Sequence, residues 1–284
     1  MSTSWTRVLW AGVGLIGLGT AGSLYAKRAR LRRDRARRVA SLLAEAEEPR
    51  PLPSPDLETL PAPIQRYLRH VLPEPPPAVR TVRLHQRGSF RTAPTAAWRP
   101  FTATQHVTLR PPGFVWNASV QMMPWVPVRV IDEFRAGQGA LRATLGGVLT
   151  VAAPPRTPAL DEAELMRYLA EAPLYPTALL PGGGVEWTPI DDRSARATLT
   201  THHTTASLVF HVNMQDEVSH ITGERAHITE DGTAERRPWH GYWRRYASRN
   251  GLRVPLEGEV GWMYPDGREV SYWRGRVVHI DHVP

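Results

Sequence analysis

Three polar residues stand where their segments call for apolar ones. Across 82–91, Val82, Leu84, Gly88 and Phe90 alternate with Arg83, His85, Arg87, Ser89 and Arg91, and Gln86 shares the parity of the apolar set. Gln105 does the same among Phe101, Ala103, Val107 and Leu109, and Asp132 among Val128, Val130 and Phe134. Successive strand residues point to opposite faces, so this parity aims all three side chains at the apolar side. A buried amide or carboxylate that finds no hydrogen bond costs several kcal/mol. Two kinds of partner would serve. One is a ligand in a concave apolar sheet with a few convergent polar groups; the residues expected to bind it are Gln86, Gln105 and Asp132, with Trp116 and Tyr242. The other is structural, with the three side chains paired to one another, to Arg274 or Arg276, or to backbone at a bulge.

The aromatic residues Trp98, Trp116, Trp187, Trp239, Tyr242 and Trp243 fit either ordinary packing or the lining of a cleft for an acyl chain. Familiar catalytic patterns are missing. The chain has no cysteine, which excludes disulfides, thiolate metal sites and a cysteine nucleophile. It has no GxSxG, and the GGG at 182–184 is not followed by GK[ST]. His202, His203, His211, His220 and His227 show no HExxH-like spacing, and adjacent strand residues such as His202 and His203 point apart. Asp191 and Asp192 sit in a turn-like segment. No catalytic residue, metal ligand or cofactor is therefore expected. If the protein is an enzyme, Asp132 with a nearby Arg or His supplies the acid–base pair.

The elements that must position these residues are mostly strands. Period-two alternation runs through 82–91, 101–110, 114–122, 128–135 and 141–145, and resumes near 195–201, 206–213, 218–228, 237–247, 252–263 and 268–282. PDG at 265–267 predicts a tight hairpin between the last two. Helical spacing puts Ile64, Leu68, Val71 and Leu72 on one face of a helix capped by Thr59. A second helix places Leu165, Leu169 and Ala172 together, with Asp161 and Glu164 as a capping box. About eleven strands and two or three helices predict a mainly β (α+β) fold, a strongly curved antiparallel sheet or half-barrel with helices packed on one side.

Val8 to Ala26 is 19 residues without a charge, close to the ~20 that a bilayer-spanning helix needs. Trp5, Trp10 and Tyr25 lie toward its ends. A cleaved signal peptide, with Thr20-x-Gly22 as the cleavage site, is the competing reading, but the mature chain would then begin with an arginine run. Residues 27–38, KRARLRRDRARR, carry net charge +7 of the chain's +8, and Arg7 carries the rest, so 39–284 is neutral. That distribution argues against nucleic acid as a partner of the domain. The basic excess after the span predicts a single-pass membrane protein with the domain on the cytoplasmic side and Arg28, Arg30, Arg32, Arg33 and Arg35 on the membrane surface, in contact with lipids. The expected organisation is a tail (1–7), a transmembrane helix (8–26), a basic segment (27–50), helical from 39, and the curved β domain (51–284) behind the Pro-rich stretch at 49–56.

Five stretches carry a family resemblance: LPAPIQRYL (60–68), WRPFTATQ (98–105), PPGFVW (111–116), YLAEAPLYPTALLP (168–181) and GEVGW (258–262). Taken in order, they resemble DUF6544 (formerly DUF6920), a bacterial family of uncharacterised function. The resemblance runs from about residue 55 to 282 and implies a shape similar to the half-barrels of the LolA and LolB lipoprotein carriers. It implies no reaction, since fold does not determine function. The functional expectation is a non-enzymatic, membrane-anchored module that binds a lipid or other amphipathic ligand. An enzyme using Asp132, or a scaffold that binds another membrane protein through a sheet edge, are the alternatives.

Overall fold

The computed structural model describes residues 26–27, 29–48, 56–123, 125–228 and 234–284. Its body is one thirteen-stranded sheet, β1 (Thr81–Phe90), β2 (Arg99–Thr108), β3 (Gly113–Met123), β4 (Val126–Arg135), β5 (Gln138–Leu145), β6 (Leu149–Ala152), β7 (Val185–Asp191), β8 (Ser194–Thr201), β9 (Thr204–Val212), β10 (Val218–Ile228), β11 (Ala234–Arg249), β12 (Leu252–Met263) and β13 (Glu269–Val283). The order is β6-β5-β4-β3-β2-β1-β13-β12-β11-β10-β9-β8-β7, and every neighbouring pair is antiparallel. Two meanders thus join through the pairing of the first strand with the last. The expected mainly antiparallel sheet is present, with two strands more than the sequence pattern suggested. β6 is exposed throughout, and β7 alternates only at Val185 and Trp187 before Pro189 on the edge, so both give a weak strand signal.

The sheet curls along a row of small residues. Phe101, Gly88, Gly275, Gly258 and Trp243 pair in register across β2, β1, β13, β12 and β11. A Cβ on Gly258 would lie 2.7 Å from the Trp243 ring, and one on Gly275 would lie 2.0 Å from the Trp273 ring. Bare backbone lets the indoles lie over the strands and relaxes the sheet where it bends. The two wings come back together, since Thr204 Oγ1, at the start of β9, donates to the Gly137 carbonyl in the β4–β5 turn at 3.1 Å.

Three helices complete the fold among the described residues. α1 (29–45) precedes the domain, α2 (Ala62–Val71) buries Ile64, Tyr67, Leu68 and Val71, and α3 (Pro158–Ala170) lies in the gap between β5 and β9. Short 3-10 turns cover Leu57–Thr59, Ala172–Leu174 and Pro176–Leu179. Both expected caps are different residues. Pro61, not Thr59, precedes α2, and Thr59 instead donates to the Asp56 carbonyl. Thr157 caps α3 by accepting from Leu160 N at 3.2 Å, which frees Asp161 to accept from Gly139 N and Glu164 to turn into the interior. Ala172 lies beyond α3 in the following 3-10 turn.

α1 begins well before the helical start expected at 39, and its inner side is docked on the convex face of β3 and β4. Leu42 is 1% exposed against Val115 and Ile131. Arg35 donates to Asn117 Oδ1 at 3.0 Å, Arg38 pairs with Glu133, and Arg135 reaches Glu45. Of the expected membrane-surface residues, Arg35 is thus held by the domain, Arg30, Arg32 and Arg33 are exposed, and Arg28 lies outside the described residues. The expected span 8–26 also lies outside them, apart from Ala26. Among the described residues no helix is long and apolar enough to cross a membrane.

Truncating Leu42 leaves a cavity under the only apolar anchor of α1 that is wholly buried in this cluster. We expect Leu42→Ala to weaken helix docking by about 2–4 kcal/mol and to speed trypsin cleavage at Arg35 and Arg38, with the sheet intact. Unchanged cleavage would show that the ion pairs hold α1 by themselves.

Candidate functional site

The concave face and α3 enclose a cavity of about 690 Å³. Its walls come from both wings: Gln86 and Phe90 of β1, Trp116 and Val120 of β3, Val130 and Asp132 of β4, Leu141 of β5, Arg225 of β10, Trp239 and Trp243 of β11, and Trp262, Tyr272 and Trp273 of β12 and β13. Glu164, Arg167 and Glu171 enter from α3 and its C-cap. The volume lies within the usual range for small-molecule sites, and apolar and aromatic side chains dominate the lining.

A polar chain crosses this apolar chamber. Gln105 Nε2 donates to Glu171 Oε2 at 2.5 Å, and Arg167 Nε donates to Glu171 Oε1 at 2.9 Å. The Arg167 guanidinium pairs with Asp132 and lies 4.8 and 4.9 Å from the Phe114 and Trp116 ring centres. Arg225 approaches Glu164 at 3.8 Å and donates to the Tyr272 hydroxyl at 3.3 Å, which also accepts from Trp239 Nε1 at 3.0 Å. Gln86 accepts from Trp116 Nε1 at 2.8 Å.

Asp132 and Glu164 form a buried carboxyl pair, and burial raises both. Asp132 Oδ1 and Glu164 Oε2 are both buried without a hydrogen-bond donor among the described residues. Burial, reinforced by the charge of Asp132 and opposed by Arg225 and Arg167, raises Glu164 from 4.5 to about 8. Burial also raises Asp132, against the pull of Arg167 and Arg225. A protonated Glu164 donating to Asp132 satisfies both carboxyls. Arg167 stays charged, because Glu171 and Asp132 outweigh its burial. With Glu164 neutral, Arg167 and Arg225 balance Asp132 and Glu171.

Four of the five residues expected at a ligand site fall along this chain or beside it. Gln86, Trp116 and Asp132 line the cavity, and Gln105 lies just behind it, bonded to Glu171. Their polar partners differ from those considered. Arg274 and Arg276 face the other way: Arg274 pairs with Glu259, while the cation met by Asp132 is Arg167. Tyr242 borders the cavity, but its ring stacks on His220 at 4.6 Å, its hydroxyl donates to Glu269, and His240 lies beside it. Of the aromatic set, Trp98 lies between Arg91 and Arg274, and Trp187 packs on Phe210. The sequence reading missed Glu164, Arg167, Glu171 and Arg225. The first three recur at helical spacing, which was the available signal. Among the described residues no cluster of His, Cys, Asp or Glu has the geometry of a metal site.

The sequence matches the DUF6920 family of unknown function over residues 58–282, so the chain belongs to that family. No curated protein matches it. Three solved structures are similar in shape. A DUF1329 family protein from Desulfovibrio piger shares 10% identity over 79% of this chain and 94% of its own, with a TM-score of 0.42. A LolA superfamily protein from Nitrosomonas europaea shares 10% identity over 80% and 95%, with a TM-score of 0.39. A β-barrel-like DUF1849 protein from Brucella abortus shares 9% identity over 72% and 98%, with a TM-score of 0.24.

The raised affinity of Glu164 for its proton makes stability depend on pH. The folded state holds the Glu164 proton more tightly than the unfolded chain, where the carboxyl titrates near 4.5. That contribution is fully present below about pH 4.5 and is lost as pH rises through about 8. Glu164→Gln keeps a donor toward Asp132 with no proton to lose. We expect wild-type Tm to fall between about pH 5 and pH 9 and the variant's to fall measurably less; parallel curves would place the proton elsewhere.

Proposed function

We propose that this protein is a membrane-tethered binding module whose cavity takes an apolar or amphipathic ligand, with a lipid as the class that fits best. The observation that carries the reading is the roughly 690 Å³ chamber between α3 and the concave sheet, walled by indoles and aliphatic side chains. Protein interiors otherwise pack densely, so an unfilled apolar chamber of this size offers space for a ligand. The polar chain from Gln105 to Tyr272 gives the chamber one wet side, suited to the head of an amphiphile, while the opposite walls suit its tail. The tether is the apolar stretch at 8–26. By the positive-inside rule its basic flank puts the domain on the cytoplasmic side.

Filling the chamber tests this directly. Leu141 is half-buried on the cavity wall, so Leu141→Trp adds bulk inside it. A naphthyl or dansyl acyl probe should bind the wild-type chain and be displaced by extracted lipid, and binding to the variant should weaken at least about tenfold, or about 1.4 kcal/mol. Equal binding by both proteins would mean that the probe sits on the apolar N-terminal stretch or the surface, and the reading would fall.

The carboxyl pair supports a second reading, in which Asp132 and Glu164 move a proton to or from a bound substrate. Asp132→Asn separates the two. On the binding reading it lowers stability by roughly 2–4 kcal/mol, since it leaves Arg167 buried with one partner fewer, and acyl-probe affinity stays within a few-fold of wild type. The second reading requires a turnover that this substitution abolishes.

A further inference from the structure

The β1–β2, β3–β4 and β5–β6 hairpins lie side by side at one end of the first wing, because neighbouring strands are antiparallel. The cavity reaches this end, where Arg91 and Thr92 beyond β1 line it. Two neighbouring hairpins at this end carry the exposed apolar side chains. Met123, Trp125 and Val126 at the β3–β4 tip are 45%, 95% and 37% exposed, and Leu149 and Val151 on β6 are 62% and 52% exposed. Trp125 also holds a positive φ of 68°, a conformation that is costly for a bulky residue and that here places the ring in solvent.

Charge and chain direction converge on the same end. No acidic residue occurs from Ser119 to Ile131 or from Leu141 to Arg156, whereas Arg129, Arg142 and Arg156 do. α1 runs along β3 and β4 with its C-terminal half at Glu133 and Arg135, and Leu31 lies beside Gly147 in the β5–β6 turn. From Arg35, docked at Asn117, the helix rises about 12 Å back to Lys27, while the strand runs about 20 Å from Asn117 to Met123. Lys27 therefore stands about 8 Å short of Met123, with the exposed Arg30, Arg32 and Arg33 further back along the strands, and the chain before residue 26 joins on the side of the tips.

We propose that the β3–β4 and β5–β6 tips, with the exposed basic residues of α1, form a docking surface for an anionic lipid bilayer. An interfacial indole, aliphatic side chains that insert, and a ring of cations without carboxylates are what such a surface requires. Docking there seats the hairpin end of the cavity on the membrane, so a bilayer molecule enters without crossing water. The proposal stands apart from the question of what fills the cavity: a bilayer surface can be shown or excluded whether or not an acyl probe binds inside.

The chain has no cysteine, so Trp125→Cys and Met214→Cys each create one labelling site. Met214 is 75% exposed in the β9–β10 turn of the other wing, seven strands along the sheet from β3, and serves as the control. The full chain, labelled with an NBD fluorophore, is reconstituted into vesicles of phosphatidylcholine and phosphatidylglycerol. The expected result is blue-shifted emission at 125 and several-fold stronger quenching by doxyl-labelled lipid than at 214. Leu149→Cys on the neighbouring tip repeats the test, should loss of the indole itself weaken docking. Quenching at both tip positions no greater than at 214 overturns the proposal. So does a blue shift without lipid quenching, which would mark contact with a second copy of the chain.

Discussion

The pairing of Arg167 with Asp132 joins the helix that fills the gap between the wings to the sheet beneath it, and the chamber depends on that join being polar. An apolar contact there would draw α3 down until side chains interdigitated, as cores do. A guanidinium held between Asp132 and Glu171, and lying over Phe114 and Trp116, fixes the helix at a height set by hydrogen-bond lengths. Two buried charges are costly to desolvate and rarely add net stability. Their value here is positional, and the unfilled volume beside them is what they position.

The rest of the architecture accommodates this chamber. The row of Gly88, Gly275 and Gly258 lets the sheet bend where Trp243 and Trp273 lie across it. The bend brings the wings close enough for Thr204 to reach Gly137. Trp243 Nε1 donates to the Ala170 carbonyl at 3.0 Å and so fastens the C-terminal end of α3 to the second wing, as Arg167 fastens it to the first. Curvature, helix and cavity thus form one mechanical unit. Burial raises Asp132 and Glu164 alike, and a proton held on Glu164 offsets the excess of buried carboxyls.

The convex side adds a second layer of organisation. α1 carries half of the chain's net charge, yet its inward face is apolar or paired, with Leu42, Arg35 and Arg38 engaged by β3 and β4. A basic segment that reads as a free flank in one dimension is, in three, a strut along the strands whose tips carry Met123 and Trp125. The same two strands present Asp132 inward and bind α1 outward through Asn117 and Glu133, so the cavity wall and the strut share a backbone.

By itself the sequence determined the strand content, the family and the anomalous inward polarity of Gln86, Gln105 and Asp132, because a period of two is local and survives without knowledge of the fold. It also located the charge of the chain. Strand β6 stayed hidden because it is exposed throughout, and β7, the Trp-bearing strand after GGG, shows only a short alternation at Val185 and Trp187 before Pro189. Glu164 was taken for a cap because Asp161 three residues earlier imitates one, whereas Thr157 holds that place. Only the tertiary structure decided the partners. Arg167 and Arg225 lie 35 and 93 positions from Asp132 in the chain, and their pairing depends on how far the sheet curls and where α3 settles. Curl and helix height are properties of the whole packed body, so no local spacing could have announced them.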